Sequence, residues 1–243
     1  MILQGRAALV TGAGRRVGQA IAVGLARAGC DVAVHVHGTA DGGMDTVQQI
    51  RALGRTADAI AADLADPHAA ASLAGRAAGV LGGRLDILVN SAAVMVKQPV
   101  AEVTPESWNQ TLDLNLRAPF FVTQGAVPYL RTSRGRVVNL ADVAGFEPWP
   151  QYVPHCVSKA GVVMLTKGLA RALAPDILVN AVAPGAVLLP DDWDEKTRAH
   201  FAETTPVGRL GSPEDVVQAV LYLLTADYVT GTVLVVDGGR VIR

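Results

Sequence analysis

A glycine-rich segment near the start of the chain has the composition and position of a phosphate-binding turn. Residues 11–18, which read TGAGRRVG, follow a short apolar run and open an Ala-rich segment of helical length. Glycines permit a tight turn there and let backbone amides approach a pyrophosphate at the positive end of the helix. Ordinary turns also use glycine, but the position between a first strand and a first helix favours dinucleotide binding.

The end of the second predicted strand indicates which nicotinamide cofactor is favoured. An Asp or Glu there would bind the ribose 2′-hydroxyl of NAD, but residues 35–39 read HVHGT and contain no acid. Asp41, a few residues later, is a weaker candidate for the acid that would bind the ribose of NAD. Arg15 in the turn can pair with a 2′-phosphate. We therefore predict NADP(H), with His37 and Thr39 as further contacts, although a histidine here could also be only a polar strand end.

Short apolar runs alternate with longer Ala-rich segments along the chain. Most of the runs lack polar alternation, which is typical of strands buried on both faces of a parallel sheet; they are residues 7–10, 32–36, 57–61, 85–89, 137–140, 177–182 and 233–236. The longer segments suit crossover helices and include residues 18–28, 105–130, 158–173 and 213–224. This alternation predicts an α/β fold, with a single Rossmann-type doubly wound parallel sheet and helices on both faces, in one domain over residues 1–243.

The segment at about 184–210 breaks this rhythm. It contains three prolines and an acidic patch, namely Pro184, Pro190, Pro206, Asp191, Asp192, Asp194 and Glu195. Ligands of doubly wound sheets bind beyond the carboxyl ends of the strands, and this segment directly follows a predicted strand. We predict a mobile insertion that acts as a substrate lid; a surface loop without a role is the alternative.

Composition and charge exclude several classes of function. Hydrophobic residues make up 50% of the chain and charged residues 18%, so a large core is available and general disorder is excluded. A net charge of −1 gives no electrostatic reason to expect nucleic acid or a membrane as partner. Cys30 and Cys156 cannot form a disulfide framework. We expect a cytoplasmic protein without a signal peptide or transmembrane helix. We also expect no metal site, because His68 and His200 are isolated.

Motifs in family order along nearly the whole chain resemble the short-chain dehydrogenase/reductase family. Besides residues 11–18 they are Asp63-Leu64, Asn90-Ser91-Ala92-Ala93, Asn115, Ser158-Lys159, Asn180, Pro184-Gly185, Thr230-Gly231 and Val236-Asp237-Gly238-Gly239. The resemblance implies a nicotinamide cofactor and a small-molecule substrate. It also implies a homotetramer built on the predicted helices at 105–130 and 158–173.

The resemblance also implies cofactor contacts beyond the turn. Asp63 would contact the adenine, Asn90 and Ala92 would line the cofactor cleft, and Pro184-Gly185 would face the nicotinamide. The complete set of cofactor-binding residues that we expect is Gly12, Arg15, Arg16, Val17, Gly18, His37, Thr39, Asp63, Leu64, Asn90, Ala92, Lys159, Pro184, Gly185 and Val187.

Two of the four catalytic positions that the resemblance implies are altered in this chain. The family has an Asn, a Ser, a Tyr and a Lys, and the Asn and the Lys fall on Asn115 and Lys159. The serine position holds Asp142, and the tyrosine position, four residues before the lysine, holds His155. Tyr152 lies three residues further back and is out of register with the motif.

One branch of the family, the pteridine reductases, is similar in several of these departures. Its members have an Arg at the middle glycine of the turn, matched by Arg16, and an Asp at the serine position, matched by Asp142. They have a His-rich second strand end, matched at residues 35–37, and a substrate loop that residues 187–193 resemble. They keep the tyrosine, however, and stack the pterin on an aromatic side chain where this chain has Met95, a less defined platform. The resemblance places the chain closest to this branch.

The altered residues predict a different proton donor. Hydride transfer to a carbonyl leaves an alkoxide that needs a proton. A lysine cation pushes a nearby imidazole toward its neutral, weakly acidic form, whereas a carboxylate favours the imidazolium. We therefore predict that Asp142 and His155 deliver the proton and that Lys159 mainly holds the ribose. A carboxylate attracts a protonated C=N but repels an alkoxide, so pteridine-like and cyclic imine substrates are favoured over simple ketones.

Two classes of function remain open. The first is an NADPH-dependent oxidoreductase that transfers hydride to a small polar unsaturated substrate, either a C=N compound or an activated carbonyl. The second is a cofactor-binding homologue with weak or no catalysis. In the second class His155 is an inactivating change, and Asp142 only caps the loop after its strand.

Overall fold

Seven parallel strands form one sheet in the order β3-β2-β1-β4-β5-β6-β7. The computed structural model describes residues 1–187 and 194–242. The strands are β1 Ala7–Val10, β2 Asp31–Val36, β3 Ala57–Ala61, β4 Ile87–Asn90, β5 Arg136–Leu140, β6 Leu178–Pro184 and β7 Val233–Val236. The strand order reverses between β1 and β4, so the crevice at their carboxyl ends is the place where such sheets bind ligands.

Helices cover both faces of the sheet. In the described ranges they are α1 Arg16–Arg27, α2 Met44–Ala52, α3 Pro67–Val80, α4 Pro105–Leu112, α5 Ala118–Ser133, α6 Val153–Leu173, α7 Glu195–Glu203 and α8 Pro213–Thr225. Several begin at a capping side chain followed by proline, as at Thr104 before α4, where the capping oxygen and the missing proline N–H both reduce the number of unpaired amides.

Alternate side chains of the central strands belong to two separate cores. Ala8 and Val10 of β1 pack with apolar residues of α1, α2 and α8. Ala7 and Leu9 point to the opposite face and pack with α3 and α5. All four are fully buried, which explains why the strands show no polar alternation. The predicted α/β class, a Rossmann-type parallel sheet with helices on both faces, is confirmed.

The predicted helix at 105–130 is interrupted at its centre. A π-helical turn, Asp113–Arg117, separates α4 from α5. Pro119, near the start of α5, has no N–H to donate to the carbonyl of Asn115 four residues earlier, and its ring would crowd that carbonyl in a regular helix. The wider turn relieves this conflict, and Asn115 lies within it.

The segment at about 184–210 contains one helix, α7, capped by the Asp194 side chain, which accepts from the Thr197 amide at 2.8 Å. Most of the predicted substrate loop at 187–193 lies outside the described residues, since the description stops at Val187 and resumes at Asp194. Within the described chain, no helix combines the length and apolar character that crossing a membrane requires.

Candidate active site

The glycine turn connects β1 to α1 at the switch point of the sheet. Gly12 has a φ of +64°, and a Cβ added there would lie 2.8 Å from the Cα of Ala92, at the end of β4. Arg16, where the related turn has a glycine, also has a positive φ of +56°. A residue with a Cβ is strained by about 1 to 2 kcal/mol in this region. The backbone path that the sequence predicts is therefore present, although at one position an arginine adopts it.

The beginning of α1 is suited to an anion. Among the described residues, no side chain caps this helix, and its first turn contains no acidic residue. The amides of an uncapped first turn are groups that bind phosphate, and the helix dipole favours negative charge there. This arrangement of Gly12, Arg15, Arg16, Val17 and Gly18 fits a pyrophosphate.

The end of β4 is tied to the turn. The hydroxyl of Thr11 accepts hydrogen bonds from the amides of Ser91 at 2.9 Å and Ala92 at 3.0 Å. The side chain of Asn90 is used inside the sheet, where its amide group donates to Asn139 Oδ1 at 2.8 Å. Asn90 and Ala92 thus lie beside the predicted cofactor cleft, with the Asn90 side chain directed to its neighbouring strand.

The carboxyl ends of β2 and β3 bring the predicted adenine-side residues together. His37 Nδ1 lies 3.8 Å from Asp63 Oδ1, and both side chains are exposed. Thr39 follows on the same exposed segment. Leu64 is buried in the core and contributes packing. The exposed pair of His37 and Asp63 is the polar part of this end of the site.

Asn115 is held by the backbone of Val94, the second residue after the Ser91-Ala92 pair. Its Oδ1 accepts from the Val94 amide at 2.8 Å, and its Nδ2 donates to the Val94 carbonyl at 2.8 Å. A second Nδ2 hydrogen goes to Ser158 Oγ at 3.1 Å. This pairing determines the orientation of the amide group and uses both of its hydrogens.

The hydrogen bonds of Asn115 determine that Nδ1 of His155 carries a hydrogen. Nδ1 of His155 lies 3.4 Å from Asn115 Nδ2 and 3.3 Å from the Val94 carbonyl. Because both Asn115 hydrogens are already used, Nδ1 carries its own hydrogen and donates to Val94. The other nitrogen, Nε2, is buried and has no hydrogen-bond partner among the described residues.

Asp142 is the group that Nε2 faces. Asp142 Oδ2 lies 3.6 Å from His155 Nε2, within ion-pair range and slightly longer than a hydrogen bond. Its other oxygen, Oδ1, accepts from the Ala144 amide at 2.8 Å and so caps the short helix Val143–Gly145. Asp142 therefore both caps its loop and presents a carboxylate oxygen to the imidazole, so capping is not its only interaction.

Lys159 lies one helical turn after His155 on α6. Its Nζ donates to the Leu140 carbonyl at 2.7 Å, at the end of β5. Burial lowers the pKa of Lys159, and the nearby Asp142 carboxylate opposes this shift. All four predicted catalytic residues, Asn115, Asp142, His155 and Lys159, thus lie around the carboxyl end of β5.

Residues 184–187 leave the sheet at the same edge. The Gly185 amide donates to the Val236 carbonyl at 2.9 Å, and a Cβ at Gly185 would lie 2.7 Å from that of Asp237. The Val187 amide donates to the Gly185 carbonyl at 2.9 Å. A tight turn therefore follows Pro184 where we expect the nicotinamide.

Two aromatic residues next to the site have roles that the sequence did not assign. The Trp149 ring is stacked on the His155 ring, with centroids 6.3 Å apart and planes 16° apart. The Tyr152 ring packs edge-on against Trp149 at 6.0 Å. Tyr152 is thus a neighbour of Trp149. The stacking of Trp149 on His155 depends on the tertiary structure, because the two residues lie on different segments.

The comparisons with known proteins agree over almost the whole chain. Residues 12–240 match the sequence family described as enoyl-(acyl carrier protein) reductase. The 3beta-hydroxysteroid dehydrogenase 1 of Eggerthella lenta is 36% identical, over 98% of this chain and 94% of its own length. A 3-oxoacyl-[acyl-carrier-protein] reductase of Staphylococcus aureus is 34% identical, over 96% of this chain and 97% of its own length.

A solved structure shows the same fold. It is a protein of Beutenbergia cavernae described as an NAD(P)-dependent gluconate 5-dehydrogenase, with NADP bound at low occupancy. It superposes with a TM-score of 0.90 at 36% identity, covering 99% of this chain and 98% of that one. The chain belongs to the short-chain dehydrogenase/reductase family, and it is an NAD(P)-dependent oxidoreductase of that family.

The predicted placement closest to the pteridine reductase branch is wrong. The relatives described above are a hydroxysteroid dehydrogenase, an oxoacyl reductase and a gluconate dehydrogenase. The features that suggested the branch do not define a pterin site: the conformation of Arg16 belongs to the phosphate-binding turn. Met95 is 51% exposed and provides no flat aromatic surface. Similar residues at single positions therefore misidentified the branch.

Proposed function

We propose that this protein is an NADP(H)-dependent oxidoreductase that transfers hydride to a small polar unsaturated substrate, with His155 and Asp142 delivering the proton. The observation that carries this proposal is the geometry of His155. Its Nε2 is buried, lacks a hydrogen-bond partner among the described residues and faces Asp142 Oδ2 at 3.6 Å. A buried polar atom without a partner at the end of β5 is typical of a group that meets a ligand.

NADP(H) is supported by the residues that would hold the adenosine half of the cofactor. The end of β2 has no acid to bind a ribose 2′-hydroxyl, and Arg15 lies at the first position before α1. The Beutenbergia relative binds NADP. Lys159 would hold the nicotinamide ribose, and residues 184–187 would lie against the nicotinamide. The bound cofactor supplies the hydride; the residues of the chain supply orientation and the proton.

The proton would move from His155 Nε2 to the substrate. In the imidazolium form, Nδ1–H donates to the Val94 carbonyl and Nε2–H points toward Asp142. A substrate nitrogen or oxygen beside Nε2 accepts this proton as hydride reaches the adjacent carbon. His155 is then neutral, and the product is an amine or an alcohol. Asp142 stabilises the cation before transfer.

The substrate class that we propose is C=N compounds, such as a cyclic imine, with activated carbonyls as the second possibility. The named relatives act on oxo or hydroxy compounds according to their descriptions. The difference in this chain is Asp142 at the serine position. Its carboxylate favours a substrate that becomes positive, as a protonated imine does, over one that becomes an alkoxide.

A second candidate function is cofactor binding with weak or no catalysis. The observation that favours it is the packing of His155, which is 3% exposed and stacked on Trp149. A ring held in this way has little freedom to approach a substrate. In this case the protein would act as a dinucleotide-binding subunit or sensor.

The test is consumption of NADPH, with NADH in parallel, against a dihydropterin, a cyclic imine, an activated diketone and a simple aldehyde. We expect turnover with NADPH on the C=N compounds. Lys159→Met should abolish it, while Lys167→Met, an exposed lysine of the same helix, serves as the matched control. Turnover on the diketone alone would contradict the C=N substrate class but would still support an oxidoreductase.

If no compound of the panel is turned over while dinucleotide binding is still measurable, the second candidate function is favoured. The variant His155→Tyr then tests whether His155 is the cause of the missing activity. A large gain of activity in this variant would identify His155 as an inactivating change. In an active wild type, a loss of activity in the same variant would show that His155 has a role of its own.

A further inference from the structure

A buried histidine lies beneath the phosphate-binding turn, outside the cofactor contacts described above. His35 belongs to β2, between two valines, and is 2% exposed. A buried polar side chain needs hydrogen-bond partners. The partners of His35 therefore indicate why an imidazole stands in this strand.

Both ring nitrogens of His35 are bonded to the backbone of functional segments. Nδ1 lies 3.1 Å from the Gly12 amide, which donates to it. Nε2 lies 3.2 Å from the Ala62 carbonyl. In addition, the backbone carbonyl of His35 accepts from the Ala13 amide at 2.9 Å. One residue thus binds two consecutive amides of the turn and the backbone just before Asp63.

Only the neutral imidazole with its hydrogen on Nε2 makes both ring bonds. The Gly12 amide is a donor, so Nδ1 must present a lone pair, and the Ala62 carbonyl is an acceptor, so Nε2 must carry the hydrogen. Burial lowers the pKa of His35 to about 4, so the neutral form prevails at pH 7. A cation would place a second N–H against the Gly12 N–H.

The other side of the turn is held independently. Thr11 binds the end of β4 through its hydroxyl, as described above, and its amide donates to the Val89 carbonyl at 2.9 Å. The turn is therefore fastened to β4 by Thr11 and to the β3 end by His35. The His35 link joins the segment that meets the pyrophosphate to the segment predicted to meet the adenine.

We propose that His35 is a positioning residue for the dinucleotide, which sets the distance between the phosphate-binding turn and the adenine-side segment beginning at Ala62. This inference rests on the NADP(H) binding under the proposed function. His35 acts through Gly12 and Ala62 and does not belong to the residues around His155 that deliver the proton. Breaking the bonds of His35 should weaken cofactor binding and leave the rate of the chemical step unchanged.

Two substitutions separate the two ring bonds. In His35→Asn, Oδ1 takes the place of Nδ1 and can still accept from Gly12, but the side chain no longer reaches Ala62. In His35→Gln, the longer amide can still donate to Ala62, but it places no acceptor at the Nδ1 position. Exposed His68→Gln, on α3, is the matched control. Circular dichroism and thermal unfolding establish that each variant is folded.

The primary measurement is the Kd for NADP+ by titration calorimetry at pH 7. We expect a rise of about tenfold in His35→Gln, which loses the bond to the turn itself, and of about threefold in His35→Asn, which keeps that bond but loses the link to Ala62. His68→Gln should bind as the wild type does. Hydrogen exchange at the Gly12 amide, measured without cofactor, should be faster in His35→Gln than in His35→Asn. In steady-state assays, KM for NADPH should rise while kcat is retained.

Equal Kd values in the wild type and both His35 variants would overturn the proposal. Equal weakening in His35→Asn and His35→Gln, in parallel with lost thermal stability, would also overturn it, since it would show a general packing role. A wild type that binds neither dinucleotide would overturn the proposed function and this inference together. Tight wild-type binding that the variants leave unchanged would overturn only the role of His35.

Discussion

The proton-delivery proposal depends on how the two nitrogens of one imidazole are occupied. A tyrosine at this position would present a single oxygen, whereas a histidine has a second nitrogen that also needs a partner. The Val94 carbonyl provides it by accepting from Nδ1 at 3.3 Å. Asn115 contributes indirectly, because its own hydrogens go to Val94 and Ser158 and leave none for the ring. Nε2 is therefore the nitrogen that can serve a substrate.

At this scale we predict that Asp142→Asn lowers kcat/KM for a cyclic imine about a hundredfold, the usual contribution of a positioned acid. The amide can still cap Ala144, so the loop should be retained, but it no longer stabilises an imidazolium. Steady-state kinetics with NADPH, together with the Kd for NADP+, measure the effect. Asp66→Asn is the control, since Asp66 caps α3 in the same way, accepting from the His68 amide at 2.9 Å. Unchanged turnover in Asp142→Asn would contradict the role of the pair.

At the scale of elements, the site depends on strand ends that are tied to one another. The turn after β1 is bonded to the end of β4 through Thr11 and to the end of β3 through His35. The π-helical turn before α5 places Asn115 against the segment after β4. Each loop of the site is thus held by a neighbouring strand end, which keeps the groups that would meet cofactor and substrate in place.

The burial of His35 predicts a pH dependence of stability. Its pKa falls from 6.5 to about 4 on folding, mainly through burial, and the facing His37 and Arg76 also disfavour the cation. As the pH falls, His35 is therefore protonated near pH 6.5 in the unfolded chain but only near pH 4 in the folded chain. Stability from this group is complete above pH 6.5 and is lost as the pH falls toward 4, by about 3 kcal/mol.

Urea unfolding at pH 7 and pH 4.5 measures this effect. We expect the free energy of unfolding to decrease less between these pH values in His35→Asn than in the wild type, because asparagine does not titrate. The comparison between the two proteins removes the contribution of the carboxylates, which titrate in both. An identical decrease in both would contradict the assignment.

At the scale of the whole molecule, the helices on one face of the sheet leave large apolar side chains exposed. They lie on α4, α5 and α6 and include Trp108, Phe120, Val157 and Met164. Exposed apolar patches of this kind are typical of subunit interfaces. We propose that this face joins copies of the chain in a homotetramer.

Light scattering should therefore give a mass four times the chain mass of 25.2 kDa. Phe120→Glu combined with Met164→Glu should shift the protein to smaller species, because charge at an apolar interface is costly to bury. Leu53→Glu is the control, since Leu53 is an exposed apolar residue that follows α2 on the opposite face. The proposed interface would be refuted if the wild type were a monomer, or if the double variant remained a tetramer.

The sequence alone determined the fold class and the approximate positions of the strands along the chain, and it named the candidate residues of the site. Apolar runs and the glycine turn are local patterns, and local patterns suffice to locate strands, helices and the helix end that receives a phosphate. Family motifs also located Asn115, Asp142, His155 and Lys159, but they misidentified the branch. Single matching residues such as Arg16 report the backbone of a turn and not the substrate.

Only the tertiary structure decided which of these residues meet. The separation of Asp142 from His155, the use of Asn115 by Val94, and the bonds of His35 to Gly12 and Ala62 all join residues far apart in the chain. Such pairs depend on sheet register and on how a helix lies against a strand end, which local propensity does not specify. The sequence showed His35 only as part of a His-rich strand end. Its partners, Gly12 and Ala62, follow from the way the strand ends lie next to one another in the sheet.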